Sequence, residues 1–209
     1  MFKQLLTSST LALALLTGAA VPVGAQTAAT TPDALIRQIS IDVIESTKAD
    51  KAIQAGDVNK VIALVDAKVL PNVNFEVMTR SAVGPRWREA TPEQRGKLQN
   101  EFKTLLVRVY AGALSQVKDQ TVEVTKTLPV PGSSQVVVQT EVRGKGEPIK
   151  LDYRMDKPAD APAWKIIDVN VGGIWLVQSY RSQFAGELTK GGVDGLIGAL
   201  VERNKPGKS

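Results

Sequence analysis

The sequence predicts an α+β fold: a four-stranded antiparallel sheet with helices packed on it. Apolar residues recur at helical spacing through the first half of the chain, then at alternate positions from Thr121 to Val171. The alternating runs follow one another across turn sequences, which makes a meander with one buried face. Gly172-Gly173 then breaks the last run, and the apolar spacing of Ile174, Val177 and Phe184 returns to the helical period. Two residues without a Cβ permit the sharp bend that turns a strand into a helix. A chain of 209 residues is one ordinary domain, long enough for a sizeable core without disulfides or metals.

The helices have explicit starts. Thr31-Pro32-Asp33 places a hydroxyl cap before a proline at the first helical position, and Leu35, Ile36, Ile39, Val43 and Ile44 form the stripe of a helix ending near Gly56. Asp57 caps a second helix, with Val58, Val61, Ile62, Val65 and Val69 on one side until Pro71 stops it. A short apolar helix over residues 75–83 is closed by Gly84-Pro85. In Thr91-Pro92-Glu93-Gln94, the threonine caps and the glutamine three residues on reaches back, a capping box. The long helix behind it carries Leu98, Phe102, Leu105, Val109, Ala113 and Val117, widened by Leu106, Tyr110 and Leu114.

Each strand shows period two. Val122 and Val124 alternate with Glu123 and Thr125; Val136, Val138 and Val142 follow a Pro-Val-Pro-Gly-Ser-Ser turn. Ile149, Leu151, Tyr153 and Met155 alternate with Lys150, Asp152 and Arg154 after Gly144-Lys145-Gly146, a hairpin turn. Residues 164–171 are the fourth strand, and Val193, Leu196, Ile197, Leu200 and Val201 form a last amphipathic helix.

Residues 1–25 have a different character: one lysine, Lys3, an apolar run through Leu11, Leu13, Leu15 and Leu16, and the small-residue ending Val23-Gly24-Ala25. This is the pattern of a secretory signal peptide cleaved after Ala25, leaving a single domain over residues 26–209. The run is too short to span a bilayer. With no cysteine there is no lipoprotein acylation site, so the mature product is expected free in solution.

Absent residues narrow the chemistry. Without histidine or cysteine the chain cannot build a Ser-His-Asp triad, a thiol nucleophile, or a zinc site from imidazole or thiolate. The formal charge of +5 falls to +4 when Lys3 leaves with the signal, and the charges are scattered. Nothing interleaves basic and aromatic residues as a nucleic-acid surface does. Gly144-Lys145-Gly146 lacks the P-loop spacing, and the glycines between Gly191 and Gly198 follow no strand, so neither reads as a phosphate cradle. Asp168 is the one lone catalytic candidate, but with no visible partner it reads better as an acceptor for backbone amides or a nearby arginine. The stripes are mostly valine, leucine, isoleucine and alanine, a lining that suits flexible alkyl chains.

Several motifs in one order then resemble a known family. Val83-Gly84-Pro85-Arg86-Trp87-Arg88, Thr91-Pro92-Glu93-Gln94-Arg95, Trp164-Lys165-Ile166-Ile167-Asp168-Val169, Gly173-Ile174, Tyr180-Arg181-Ser182-Gln183-Phe184 and Gly192-Val193-Asp194-Gly195-Leu196 are similar to the MlaC family, also called toluene-tolerance proteins of the Ttg2 type. The resemblance implies a periplasmic phospholipid carrier that shuttles lipid between outer and inner membranes to maintain outer-membrane lipid asymmetry. It implies as partners an inner-membrane ABC transporter with an MCE-domain subunit and an outer-membrane lipoprotein–porin complex, and no cofactor, metal or catalytic residue. The implied fold is a curved sheet backed by helices around an apolar lipid cavity, in a monomer. Tyr110 matches the family's pocket-facing tyrosine, and Ile149, Leu151 and Ile174 match wall positions; Leu106, Val138 and Trp175 complete the expected lining.

The chain departs from the family pattern in two places. Asn74-Phe75 stands where relatives often have Asp-Phe, which changes a cap, and Gly173-Ile174-Trp175 stands for the usual Gly-Val-Ser, which puts an indole where a small residue is common. Two rival readings accompany the carrier. One is a hopanoid-associated relative with a rigid, wide pocket; the other is a small-molecule enzyme on a cone-shaped α+β fold, using Asp168 as base with Tyr110.

Overall fold

A computed structural model describes residues 31–159 and 161–205; the expected signal peptide, residues 1–25, lies outside them. Helix α1 (Pro32–Ala49) begins where the Thr31 hydroxyl accepts the Ala34 amide. Its stripe does not run on to Gly56 in one piece. Asp50 takes an extended conformation, and its carboxylate accepts the amides of Ala52 and Ile53 to start a separate short helix, α2 (Lys51–Gln54). An aspartate that caps from inside a helical pattern competes with the helix for its own backbone. Asp57 caps α3 (Val58–Leu64), which loosens into a π-helical turn (Val65–Val69) and a 3-10 turn (Leu70–Asn72) around Pro71.

Helix α4 (Phe75–Val83) is capped by Asn74, whose side-chain oxygen accepts the Val77 amide at 3.1 Å, so the departure from Asp-Phe keeps a working cap. Gly84, at φ 71, ends it and opens a 3-10 turn (Gly84–Arg88). Helix α5 (Pro92–Ser115) starts with the capping box: the Gln94 amide donates to Thr91 Oγ1 at 3.2 Å and the Thr91 amide to Gln94 Oε1 at 2.9 Å.

The sheet is open and antiparallel, in the order β1 (Thr121–Pro129), β2 (Gln135–Arg143), β3 (Ile149–Asp156), β4 (Lys165–Val171), β5 (Ile174–Trp175). It has five strands rather than the expected four. Gly172 and Gly173, at φ 58 and 94, form a tight turn, and two more residues pair back on β4 before the helix begins. Register shifts at Val124/Lys126 on β1 and opposite Arg154/Met155 on β4 mark bulges, which bend strands and increase their twist. Val73 bridges Ile166 beside β4, and the Asn74 amide donates to the Ile166 carbonyl at 2.8 Å.

The expected last helix is the end of a longer one. Helix α6 (Leu176–Arg203) follows β5 directly and breaks its helical geometry at Gly191 and Gly192, the latter at φ 60. Its two segments pack with α4 and α5 around Phe102, Phe184, Leu196 and Leu200, each at most 1 % exposed. The Phe102 ring meets Tyr180 and Phe184 edge-on at 5.0 and 5.2 Å between centroids, the geometry aromatic quadrupoles favour. A second cluster joins α2 and α3 to α5 through Ile53, Val61, Leu64, Val107 and Ala111. A third joins α1 to the sheet through Ile36, Val138, Met155 and Ile166.

Candidate functional site

Strand register decides which side chains share a wall. Thr140 of β2 stands opposite Leu151 of β3, Leu151 opposite Val171 of β4, and Val171 opposite Ile174 of β5, so one row crosses the sheet on a single face. The neighbouring rows on that inner face pair Val142 with Ile149, and Val138 with Tyr153 and Val169. Four expected wall residues, Val138, Ile149, Leu151 and Ile174, therefore lie on one surface. Trp175 does not: it pairs with Asn170, which pairs with Asp152, a row on the opposite face.

The helices cover this wall unevenly. Helix α1 leans on β1 and β2 and reaches Met155 of β3 through Ile36, α4 and α6 lean on β4, α6 also on β5, and α5 on α6, α3, α4 and α2. Exposure follows that arrangement. On β3 it falls from Ile149 at 55 %, through half-buried Leu151 and Tyr153, to Met155 at 0 %. On β2 it falls from half-buried Val142 to buried Thr140 and Val138. Ile174 is 60 % exposed at the hairpin end. Tyr110 and Leu106 of α5 are half-buried against the α4–α5–α6 core, as are Val169 and Val171.

All three tyrosines have raised hydroxyl pKa values, with burial the largest cause in each. For Tyr153 burial pushes the phenol up to about 12, against the opposing pull of the Thr140 and Ser40 hydroxyls. Tyr180 is raised further by Tyr110 nearby. Reading the sequence found Tyr110 by resemblance but gave Tyr153 no role, although its place in the same alternation as Leu151 carried the signal.

The opposite face holds a different constellation. The Arg154 guanidinium lies 4.5 Å from the centre of the Trp175 ring, a cation–π contact. Beside it Asp168 is buried at 5 % exposure; its Oδ1 accepts the amides of Val169 at 2.8 Å and Val177 at 3.0 Å. Those bonds make Asp168 the backbone acceptor the sequence suggested. A recess of about 350 Å³ between α4 and this face is lined by Arg80, Ser81, Arg154, Asp156 and Asp168 among others. A broader one of about 570 Å³ runs along Gly173, Ile174 and Trp175 and the Gln178, Ser179, Ser182 and Gln183 side of α6. Among the described residues no acidic cluster is arranged to hold a metal ion, and no helix is long and apolar enough to cross a membrane.

Residues 37–202 match the family described as MlaC protein. The chain is 24% identical over 172 residues to the intermembrane phospholipid transport system binding protein MlaC of Haemophilus influenzae, covering 81% of this chain and 80% of that one. It is 25% identical over 168 residues to the toluene tolerance protein ttg2D of Pseudomonas putida, covering 80% and 77%. Among solved structures, a phospholipid-binding protein from Ralstonia solanacearum in complex with a phospholipid is 41% identical, superposes with a TM-score of 0.77, and covers 82% of this chain and 96% of its own.

Proposed function

The chain belongs to the MlaC family, and from that premise we propose that it is a soluble periplasmic carrier that holds a phospholipid against the inner face of its sheet. Residues 1–25 are removed as a signal, and residues 26–209 are the lipid-binding domain. Leu106, Tyr110 and Leu151 form the wall of an apolar cavity, Ile149 and Ile174 stand at its mouth, Val138 closes its far end, and Trp175 supports the β5 turn from the other face. The observation that carries this reading is the apolar inner row, which stays partly accessible at the Ile149 and Leu151 end of β3. A packed core does not leave such a row open to solvent.

The energetics fit a carrier. Hiding a hydrocarbon chain is worth about 0.8 kcal/mol per methylene, so two ordinary acyl chains cost roughly 20 kcal/mol to bring into water. A shuttle has to cover most of that surface itself, and it needs no cofactor and no covalent step. Its partners in this proposal are an inner-membrane ABC transporter with an MCE-domain subunit, which supplies the energy, and an outer-membrane lipoprotein–porin complex; the outcome is outer-membrane lipid asymmetry. Organic extraction of protein freshly purified without added lipid is the test. Stoichiometric diacyl phospholipid is expected, and its absence would sink the proposal. The same preparation, sequenced from its N-terminus, should begin at or near Gln26.

A further inference from the structure

Tyr153 lies on a boundary. On its strand, Ile149 and Leu151 before it keep accessible surface, whereas Met155 after it has none. Met155 joins Ile36, Val138 and Ile166 in a cluster in which no member exceeds 2 % exposure, and the Tyr153 side chain packs against that cluster. Tyr153 is thus the last inner-face residue of β3 with accessible surface before the sealed core begins.

The ring is also held in place. Its cross-strand neighbours are Val138 on β2 and Val169 on β4. The hydroxyls of Ser40 on α1 and Thr140 on β2 lie beside the phenol, and Thr140 donates to the Leu151 carbonyl at 2.7 Å. The residue keeps some accessible surface while its hydroxyl end is enclosed between α1 and β2, so the ring spans the step from the accessible row to the closed cluster.

We infer that the Tyr153 ring is the floor on which acyl-chain ends stop, so that this residue sets the longest chain the protein accepts. The inference rests on the lipid-carrier reading above. Behind the ring the aliphatic cluster is closed and offers a chain no path. Any methylene that the ring excludes has to remain nearer the mouth, in contact with water, and chains that fit are retained over chains that do not.

The test is the acyl profile of lipid extracted from full-length parent, Tyr153→Ala and Tyr153→Phe proteins expressed in the same cells, read by mass spectrometry. Tyr153→Ala should shift the most abundant chains to longer species, while Tyr153→Phe, which keeps the ring, should hold the parent profile. Should the alanine variant not fold, Tyr153→Leu carries the same expectation with a smaller shift. A folded Tyr153→Ala or Tyr153→Leu with the parent profile overturns the floor, as does a Tyr153→Phe profile as long as that of alanine. A parent that carries no lipid overturns the carrier reading itself, and the floor with it.

Discussion

The amide of Val177, in the first turn of α6, donates at 3.0 Å to the carboxylate of Asp168 on β4. Trp175 occupies the helix N-cap position and makes no side-chain cap bond there, so a strand residue caps the helix from across the turn. Asp168→Ala should therefore destabilise the fold by about 1–2 kcal/mol, the usual worth of a cap. Asp168→Asn, which keeps an oxygen at the acceptor position, should recover most of that in urea denaturation. The pH dependence has a definite sign. Burial raises the Asp168 carboxyl above its ordinary 3.8, outweighing the Val177 and Val169 amides and Arg154, which pull it down. A group raised on folding binds more protons in the native state, so its contribution is complete below the unfolded value and is lost as pH rises through the folded one. Relative to Asp168→Asn, the parent should lose stability as pH climbs from about 3.8 toward neutrality. A difference that stays flat across that range would refute the assignment.

Tyr153 obeys the same rule at the alkaline end. Its phenol is raised by burial to about 12, so a spectrophotometric titration of the folded protein should show one tyrosine ionising only near that pH. Its stabilising contribution is whole below the unfolded value near 10 and disappears as pH passes about 12. Tyr153→Phe should remove that step from the titration curve, and a variant that leaves it in place would assign it elsewhere.

Leu151→Glu tests the wall. Leu151 lies between Thr140 and Val171 in the inner row, and a carboxylate there has to be desolvated at several kcal/mol or hydrated at the expense of bound hydrocarbon. Co-purified lipid should fall at least several-fold while circular dichroism stays native. A folded, fully loaded variant would remove Leu151 from the wall.

For Trp175→Ser the register points to a parental lipid profile, because the indole lies in the row of Asn170 and Asp152, with its ring against Arg154. Losing the cation–π contact costs roughly 0.5–1 kcal/mol. A serine at that position gains a cap of about 1 kcal/mol. The lost surface of the half-buried indole adds to the cost, so the net change should be destabilising. In the parent, quenching of this indole should not respond to delipidation; longer chains in Trp175→Ser would instead put the ring in the cavity.

Local chemistry was legible in the sequence wherever a single residue decides it. The caps at Thr31, Asp57 and Thr91 and the glycine turn before Ile174 are such cases. Strand β5 was not legible, since two residues are too short to show a period and only their pairing with Asn170 and Val171 makes them a strand. Asp50 went unread because nothing in the helical stripe around it announces a break. Val109 was counted on the apolar stripe of α5 yet is 54 % exposed, because the helix turns that position away from α6 and α3. The face on which Trp175 lies depends on register, which spacing along one strand cannot give.

The bulge in β1 has a consequence for how copies of this protein meet. A sheet with a partly accessible apolar wall would be prone to polymerise if its rim also offered a straight run of unpaired backbone. At one rim, the shift at Val124/Lys126 breaks that run, Glu123 and Lys126 charge it, and Pro129 lacks a donor. At the other rim, β5 caps the end of β4 and the Val73 bridge takes Ile166. Neither rim offers an incoming strand an unbroken ladder to extend, so the protein can keep an apolar wall accessible without its sheet growing from one molecule into the next.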